Sequence, residues 1–219
     1  MDRKMICILG AESTGTRIFT DLLSQHSCIQ GTVKASSHID WLDKVWRSIE
    51  DESVSQAVSI FKESASEEVK YFLTRRSMPH SKGVGQSADF MEFPNLEKFC
   101  SFCDEVSLQP IFLITTRSTV ANLSSWQEKR ASSKKSMQLA ATQYKAAYEK
   151  IFSLVIARKI SFSFLSLEAL LLDKQDYLNS IFALLDLPPE KVKFRINQRV
   201  NKVYYRNLSG KKFFLFNDD

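Results

Sequence analysis

The chain has 219 residues, the size of one globular domain or of one domain with a small elaboration. Apolar residues make up 44% and charged residues 25%, which supplies a sizeable core and argues against disorder. The net charge of +5 is small and its basic residues are spread widely, so it favours an anionic small-molecule partner or an ordinary solvated surface over a nucleic-acid binder.

No apolar run approaches the roughly 18 residues of a membrane span. The short apolar run before Gly10 is also too brief for the core of a signal peptide. The four cysteines are Cys7, Cys28, Cys100 and Cys103. Cys100 and Cys103 form a C-x-x-C inside a helical pattern, without the second pair or nearby histidine of a zinc site. We therefore expect a soluble cytoplasmic protein with reduced, mostly buried cysteines and no metal.

Strand and helix patterns alternate along the chain. The predicted strands are Met5–Leu9, Val69–Thr74, Pro110–Thr116 and Ile160–Leu165. Helices are predicted between and after them at Thr14–Gln25, Ile39–Glu50, Val54–Ser64, Pro94–Leu108, from about Thr119, at Lys135–Val155 and at Leu178–Leu187. This alternation predicts an α/β fold with a central parallel sheet flanked by helices in three layers. We expect residues 1–219 to form a single domain.

A phosphate-binding loop is predicted between the first strand and the first helix, where Gly10–Arg17 has the spacing G-x-x-x-x-G. The amide groups at a helix start have no backbone partners and point at anions. The hydroxyls of Ser13, Thr14 and Thr16 and the charge of Arg17 can add to them. A glycine turn capped by Ser or Thr is the alternative.

Nucleotide kinases continue such a loop with lysine after the second glycine. Here Gly15 is followed by Thr16, and the third predicted strand ends in Thr-Thr-Arg without the aspartate that holds Mg²⁺. Both departures argue against ATP or GTP hydrolysis.

A second anchor follows the third predicted strand, where Arg117 lies at the strand end and Ser125 follows it in an R-x7-S spacing. The carboxyl edge of a parallel sheet faces the ligand crevice, and a guanidinium fork suits a phosphate. Together with Ser13–Arg17, this pattern resembles the sulfotransferase family that uses 3′-phosphoadenosine 5′-phosphosulfate (PAPS), and the resemblance spans roughly residues 5–190.

The resemblance implies a P-loop-type fold and sulfuryl transfer from PAPS, with adenosine 3′,5′-bisphosphate as product and no metal. It implies that Ser13, Thr14, Gly15, Thr16 and Arg17 hold the 5′-phosphosulfate, and that Arg117 and Ser125 hold the 3′-phosphate. Ser13 departs from the family, which has lysine or arginine there. We expect Arg17 to supply that cation.

The acceptor's proton requires a base. His80 follows the second predicted strand, where some members of the family place a catalytic histidine, and we choose it; a surface loop histidine is the alternative. His38, Glu92 and Asp89 are further candidates, while His26 ends a helix and is expected to be structural. Arg75 and Arg76 bind an acidic acceptor or the sulfate, or else form a solvated turn.

The basic and aromatic segment 190–219 is either a flap over the nucleotide or a strand pair with solvated charges, with nucleic-acid stacking as a third reading. We expect a hydroxyl or amine acceptor, on a carbohydrate or small metabolite, and neither nucleic acid nor membrane as partner. The alternatives are a P-loop nucleotide or small-molecule kinase and an inactive protein that binds adenosine bisphosphate.

Overall fold

The structure of the chain is a computed structural model. It describes residues 3–11, 13–31, 41–51, 53–78, 80–81, 91–119, 121–122 and 134–194, and for residues 80–81, 91–92, 134–140 and 143 it describes the backbone alone.

The strands are β1 (Arg3–Gly10), β2 (Ile29–Gly31), β3 (Tyr71–Ser77), β4 (His80–Ser81), β5 (Met91–Glu92), β6 (Leu108–Thr116) and β7 (Ser161–Ser166). Five of them form a parallel sheet in the order β2-β3-β1-β6-β7. The other two, β4 and β5, pair antiparallel in a separate two-stranded sheet. The first strand therefore lies at the centre of the main sheet.

The helices are α1 (Thr16–Leu23), α2 (Trp41–Asp51), α3 (Val54–Ser64), α4 (Leu96–Glu105), α5 (Lys134–Arg158) and α6 (Leu167–Leu184). Residues 119 and 121–122 are helical as well, where a helix was predicted. None of the helices among these described residues is long and apolar enough to cross a membrane.

Both faces of β1, the central strand of the sheet, are buried. Along β1, Met5, Cys7 and Leu9 belong to a core formed with α2, α3, α4 and α5. The alternate residues Ile6 and Ile8 belong to a second core formed with α1 and α6. Burial on both sides explains why β1 is a continuous apolar run instead of an alternating one. The α/β class and the three layers around a parallel sheet are confirmed.

Some boundaries differ from the prediction for physical reasons. Strand β2 has only three residues and the β4–β5 pair has two residues per strand, so none of them carries a readable period. Helix α6 begins at Leu167, well before the predicted Leu178, and it contains a kink at Lys174 (φ 38°) that breaks its apolar period. It ends at Leu184, short of the predicted Leu187, since Asp186 has a φ of 60° that interrupts a helix.

Candidate functional site

The candidate site lies at the carboxyl edge of the sheet, beside β1. This strand pairs with β3 on one side and β6 on the other, so the connections after these strands diverge on either side of it. At this edge Gly10 is level with Ser77, and Thr116 is level with Ser166. Such a switch in strand order is where open α/β sheets bind ligands.

Gly10 ends β1 in a position that has no room for a side chain. A Cβ atom there would overlap the Thr115 hydroxyl and would lie 2.6 Å from the Thr14 hydroxyl and 2.9 Å from the Thr115 carbonyl oxygen. The Gly10 carbonyl accepts a hydrogen bond of 2.8 Å from the backbone N–H of Met78, which ties the loop to the end of β3. Because glycine has no Cβ atom, the start of the loop can pack directly against β6.

The loop then turns through two left-handed residues, Ser13 (φ 68°) and Gly15 (φ 101°). Gly15 is the N-cap of α1, and within the described residues no side chain caps this helix. The first-turn amide groups of α1 consequently face the crevice, where their partial positive charge favours an anion.

Two buried threonines tie the loop to β6. The Thr14 hydroxyl lies 2.6 Å from both the Ala11 carbonyl oxygen and the Thr115 hydroxyl, which in turn lies 3.2 Å from the Leu9 carbonyl oxygen. Only two hydroxyl hydrogens are available for these three contacts. Either Thr115 donates to Thr14 and Thr14 donates to Ala11, or Thr14 donates to Thr115 and Thr115 donates to Leu9. In both arrangements the Thr14 hydroxyl donates its hydrogen to Ala11 or to Thr115 and not toward the crevice.

Other hydroxyl groups brace the same edge. Thr16 is buried, and its hydroxyl lies 3.3 Å from that of Ser77, so the residue that replaces the kinase lysine contacts the end of β3. Tyr148 on α5 donates a 3.0 Å hydrogen bond to the Thr115 carbonyl. Burial raises the pKa of Tyr148, and a hydrogen bond with the Ala11 backbone opposes the rise. The loop is thus held from β3, β6 and α5.

Arg117, just after the end of β6, contacts the loop that follows β1. Its Nη1 donates a 2.9 Å hydrogen bond to the Ser13 carbonyl, across 104 residues of sequence. The next amide, of Ser118, donates a 2.9 Å hydrogen bond to Glu168 at the start of α6. The predicted loop and Arg117 therefore meet at one site. Ser125, the other residue of the second predicted anchor, lies outside the described residues.

Three more arginines lie near this edge. Arg17 is largely exposed, with 63% of its side chain accessible and a loose 3.9 Å ion pair to Asp21. Arg76 is bound by Asp43 and Glu50 and lies over the ring of Trp46. Since these contacts hold Arg76, its role in the structure is to attach α2 to β3.

Arg75 is half-buried at the carboxyl end of β3. Burial lowers its pKa, Asp43 opposes that effect, and the charge of Arg17 adds to it. Arg75 and Arg17 are therefore close enough to influence one another, and they contribute positive charge on the side of the loop away from Arg117.

The remaining predicted residues are less completely described. His80 begins β4, and its Cα is level with that of Glu92 on β5, so two candidate bases occupy paired backbone positions. Ser125, His38, Asp89 and residues 195–219 of the basic segment lie outside the described residues.

His26 is buried on the opposite edge, as its predicted structural role requires. Its Nδ1 accepts a 3.1 Å hydrogen bond from the Cys28 amide, which places the ring hydrogen on Nε2, 3.0 Å from the Pro188 carbonyl. Nδ1 is then a hydrogen-bond acceptor, and its 3.5 Å separation from the carboxylate of Glu190 is not a hydrogen bond. All four cysteines are free, and Cys28 alone among them is exposed.

Four residues of the site were not singled out from the sequence as functional: Ser77, Thr115, Tyr148 and Glu168. Ser77 and Thr115 lie at strand ends on the ligand edge, a position that could have flagged them. Tyr148 is one aromatic residue within a long amphipathic helix, and its distance from the loop in sequence hides the contact. Glu168 follows a strand directly, where an acidic residue also has the plain meaning of a helix start.

The fold has solved relatives. The sulfotransferase domain from the curacin biosynthetic pathway superposes with a TM-score of 0.53 at 12% identity, over 86% of this chain and 75% of that chain. The sulfotransferase from Alicyclobacillus acidocaldarius gives 0.51 at 13% identity, over 96% and 93%. The sulfotransferase domain of the Synechococcus PCC 7002 olefin synthase gives 0.49 at 13% identity, over 96% and 84%.

No protein-family model matches the sequence, and no curated protein matches it either. At identities of 12–13% the likeness concerns the fold. The first two of these superpositions give the chain the fold of the P-loop sulfotransferases.

Proposed function

We propose that this protein is a sulfotransferase, which transfers a sulfuryl group from PAPS to a hydroxyl or amine of a carbohydrate or small metabolite. The observation that carries the proposal is the hydrogen bond from Arg117 to the Ser13 carbonyl. It joins a cation after β6 to a phosphate loop after β1. A nucleotide with anionic groups at both its 5′ and its 3′ positions suits two such anchors.

Residues Ser13 to Arg17 bind the 5′ end of the donor. Because the Thr14 and Thr16 hydroxyls bond to Thr115 and Ser77, and the Thr14 amide donates a 3.2 Å hydrogen bond to the Ala11 carbonyl, we assign binding chiefly to the amides of Gly15, Thr16 and Arg17. Arg117 and Ser125 bind the 3′-phosphate. PAPS supplies the sulfuryl group, and no metal enters the proposal.

His80 is the proposed base, which takes the proton of the acceptor as sulfuryl transfer proceeds. Arg17 is the proposed catalytic cation, in place of the basic residue that the family has where this chain has Ser13. Its exposed guanidinium lies in the first turn of α1 and forms a loose 3.9 Å ion pair with Asp21. Arg75 adds charge nearby and is available to an anionic group of the acceptor.

Arg17→Ala tests the proposed catalytic cation. We expect the transfer rate to fall at least about 100-fold, the size of effect caused by losing one group that stabilises transition-state charge. Adenosine bisphosphate binding should change little, because the loop amides remain. Arg47→Ala, which removes an exposed arginine from α2, is the matched control. Near-normal turnover by Arg17→Ala would exclude this role.

Ligand-induced stabilisation tests the nucleotide class. Adenosine 3′,5′-bisphosphate at 100 times its dissociation constant should stabilise the fold by about 2.7 kcal/mol, measured by thermal unfolding. Adenosine 5′-monophosphate at the same concentration should stabilise it less. Turnover of ATP with Mg²⁺ would instead support a kinase. Tight bisphosphate binding without transfer to any acceptor in a broad panel would indicate an inactive binding protein.

A further inference from the structure

The junction between β7 and α6 contacts both parts of the proposed nucleotide site. Leu167 lies under the phosphate loop, where a Cβ atom on Gly15 would be 3.2 Å from its Cδ1. The next residue, Glu168, accepts the amide of Ser118, the residue that follows Arg117. Two consecutive residues of one junction thus support the two anchors.

The Glu168 carboxylate is itself held in place. Ser166 donates a 3.4 Å hydrogen bond to Oε2, and the Ser166 hydroxyl also accepts the Ala169 amide at 3.2 Å as the N-cap of α6. The Ser166 amide donates to the Tyr177 hydroxyl at 2.7 Å. Since Ser166 is level with Thr116 in the sheet, this network starts one residue from Arg117.

A carboxylate so near a phosphate site repels the ligand, which argues against a direct binding role. Its position at the first turn of α6 is favourable for its charge, but that does not require a bond to Ser118. What the bond does is fix the backbone beside Arg117. An arginine held at the Ser13 carbonyl needs such a fixed backbone, because small misplacements of a binding group weaken its contact steeply.

We infer that Glu168 is a positioning residue, which holds Arg117 in the orientation that binds the 3′-phosphate. This inference rests on the proposed function, which assigns that phosphate to Arg117. Glu168 acts as a hydrogen-bond acceptor for the Ser118 amide and does not touch the nucleotide.

The test divides the dissociation constant of adenosine 5′-monophosphate by that of adenosine 3′,5′-bisphosphate, because this ratio isolates the contribution of the 3′-phosphate. Outer-shell partners of metal ligands typically contribute about 10- to 100-fold in affinity, and by analogy we expect Glu168→Ala to lower the ratio about tenfold. Monophosphate affinity should stay within about twofold. Glu97→Ala removes a first-turn glutamate from α4, which bonds Arg158, and should leave the ratio unchanged.

Glu168→Gln keeps an acceptor oxygen and should retain most of the ratio, whereas Glu168→Asp keeps the charge but withdraws it from Ser118 and should lower the ratio. The aspartate variant also covers the case in which the alanine variant fails to fold. A glutamine variant as weak as the alanine variant would overturn the inference, as would an equal loss of affinity for both nucleotides.

A double-mutant cycle links the effect to Arg117. Arg117→Ala should remove the preference for the 3′-phosphate, and adding Glu168→Ala should lower it no further; an additive loss would overturn the inference. The two proposals fail differently. If the wild-type protein shows no preference for the bisphosphate, the proposed function is wrong. If it shows the preference and Glu168→Ala and Glu168→Asp retain it, only the positioning role is wrong.

Discussion

At Gly10 the atoms of neighbouring residues leave no room for a side chain in the loop after β1. Gly10→Ala would place a methyl group against Thr115 and Thr14, at separations that no ordinary packing allows. Part of this clash is with the Thr115 backbone, which cannot move without shifting β6. We expect a loss of about 1–3 kcal/mol in the free energy of unfolding, the usual cost of overpacking. Urea unfolding of the variant against wild type measures it.

Thr115→Ala in the Gly10→Ala background separates the two sources of the clash. It removes the Thr115 hydroxyl but leaves the Thr14 hydroxyl at 2.6 Å and the Thr115 carbonyl oxygen at 2.9 Å, so stability should recover only in part. A Gly10→Ala protein as stable as wild type would show that the loop has another path over β6.

The residue scale also shows what the sequence predicts well. Glycine spacing and the strand-to-helix context located the loop, since both are local. The hydrogen bonds of Thr14 with Thr115 and of Arg117 with Ser13 cross 101 and 104 residues. No local pattern states which hydroxyl turns inward, so such pairings had to come from the fold.

At the scale of elements, length determines what a sequence can predict. Strands β1, β3, β6 and β7 and helices α2 to α5 were located because each carries an apolar run, an alternating pattern or a sustained helical period. The three residues of β2 pair only with the first part of β3 and leave no period. The kink at Lys174 divides α6 into two short patterns, of which only the second was recognised.

Helix α4 makes stability depend on pH through its buried cysteines. Burial raises the pKa of Cys100 from 9.0 to about 12, and burial raises that of Cys103 well above its ordinary value too. Thiolates therefore form first in the unfolded chain, so the stabilisation is complete below pH 9 and is lost as pH rises toward 12. Each such thiol lowers the free energy of unfolding by up to about 1.4 kcal/mol per pH unit in this window.

Cys100→Ala should reduce this pH dependence, measured by urea unfolding at several values between pH 8 and pH 11. Cys28→Ala is the control, since that thiol is exposed. An identical slope in Cys100→Ala and wild type would show that the Cys100 thiol does not contribute. Tyrosines and lysines titrate in the same range, which is why the comparison between the two variants matters more than the absolute slope.

In the whole molecule, the candidate site and the contacts that attach α1 and the segment after α6 lie at opposite edges of one sheet. Gly10, Ser77 and Arg117 lie at the carboxyl edge, with the loop after β1. At the amino edge Lys4 on β1 forms an ion pair with Asp186, and His26 joins the end of α1 to the segment after α6. Because these contacts lie at the edge opposite the candidate site, stability and ligand binding can be tested with separate substitutions.

His26→Leu should lower stability without changing the candidate site. It removes the hydrogen bond to the Pro188 carbonyl and leaves the Cys28 amide without its ring acceptor. Both bonds are part-buried, so each loss costs about 1 kcal/mol. A loss of about 2 kcal/mol would lower the midpoint of thermal unfolding by about 4–8 °C in a chain of this size. Affinity for adenosine 3′,5′-bisphosphate, measured well below that midpoint, should stay within about twofold of wild type. Arg117→Ala should weaken binding strongly, and because it also removes the hydrogen bond to the Ser13 carbonyl, its midpoint should fall as well. If His26→Leu weakened binding as much as Arg117→Ala does, α1 would have to transmit strain from its last turn to its first, and the two edges would not be independent.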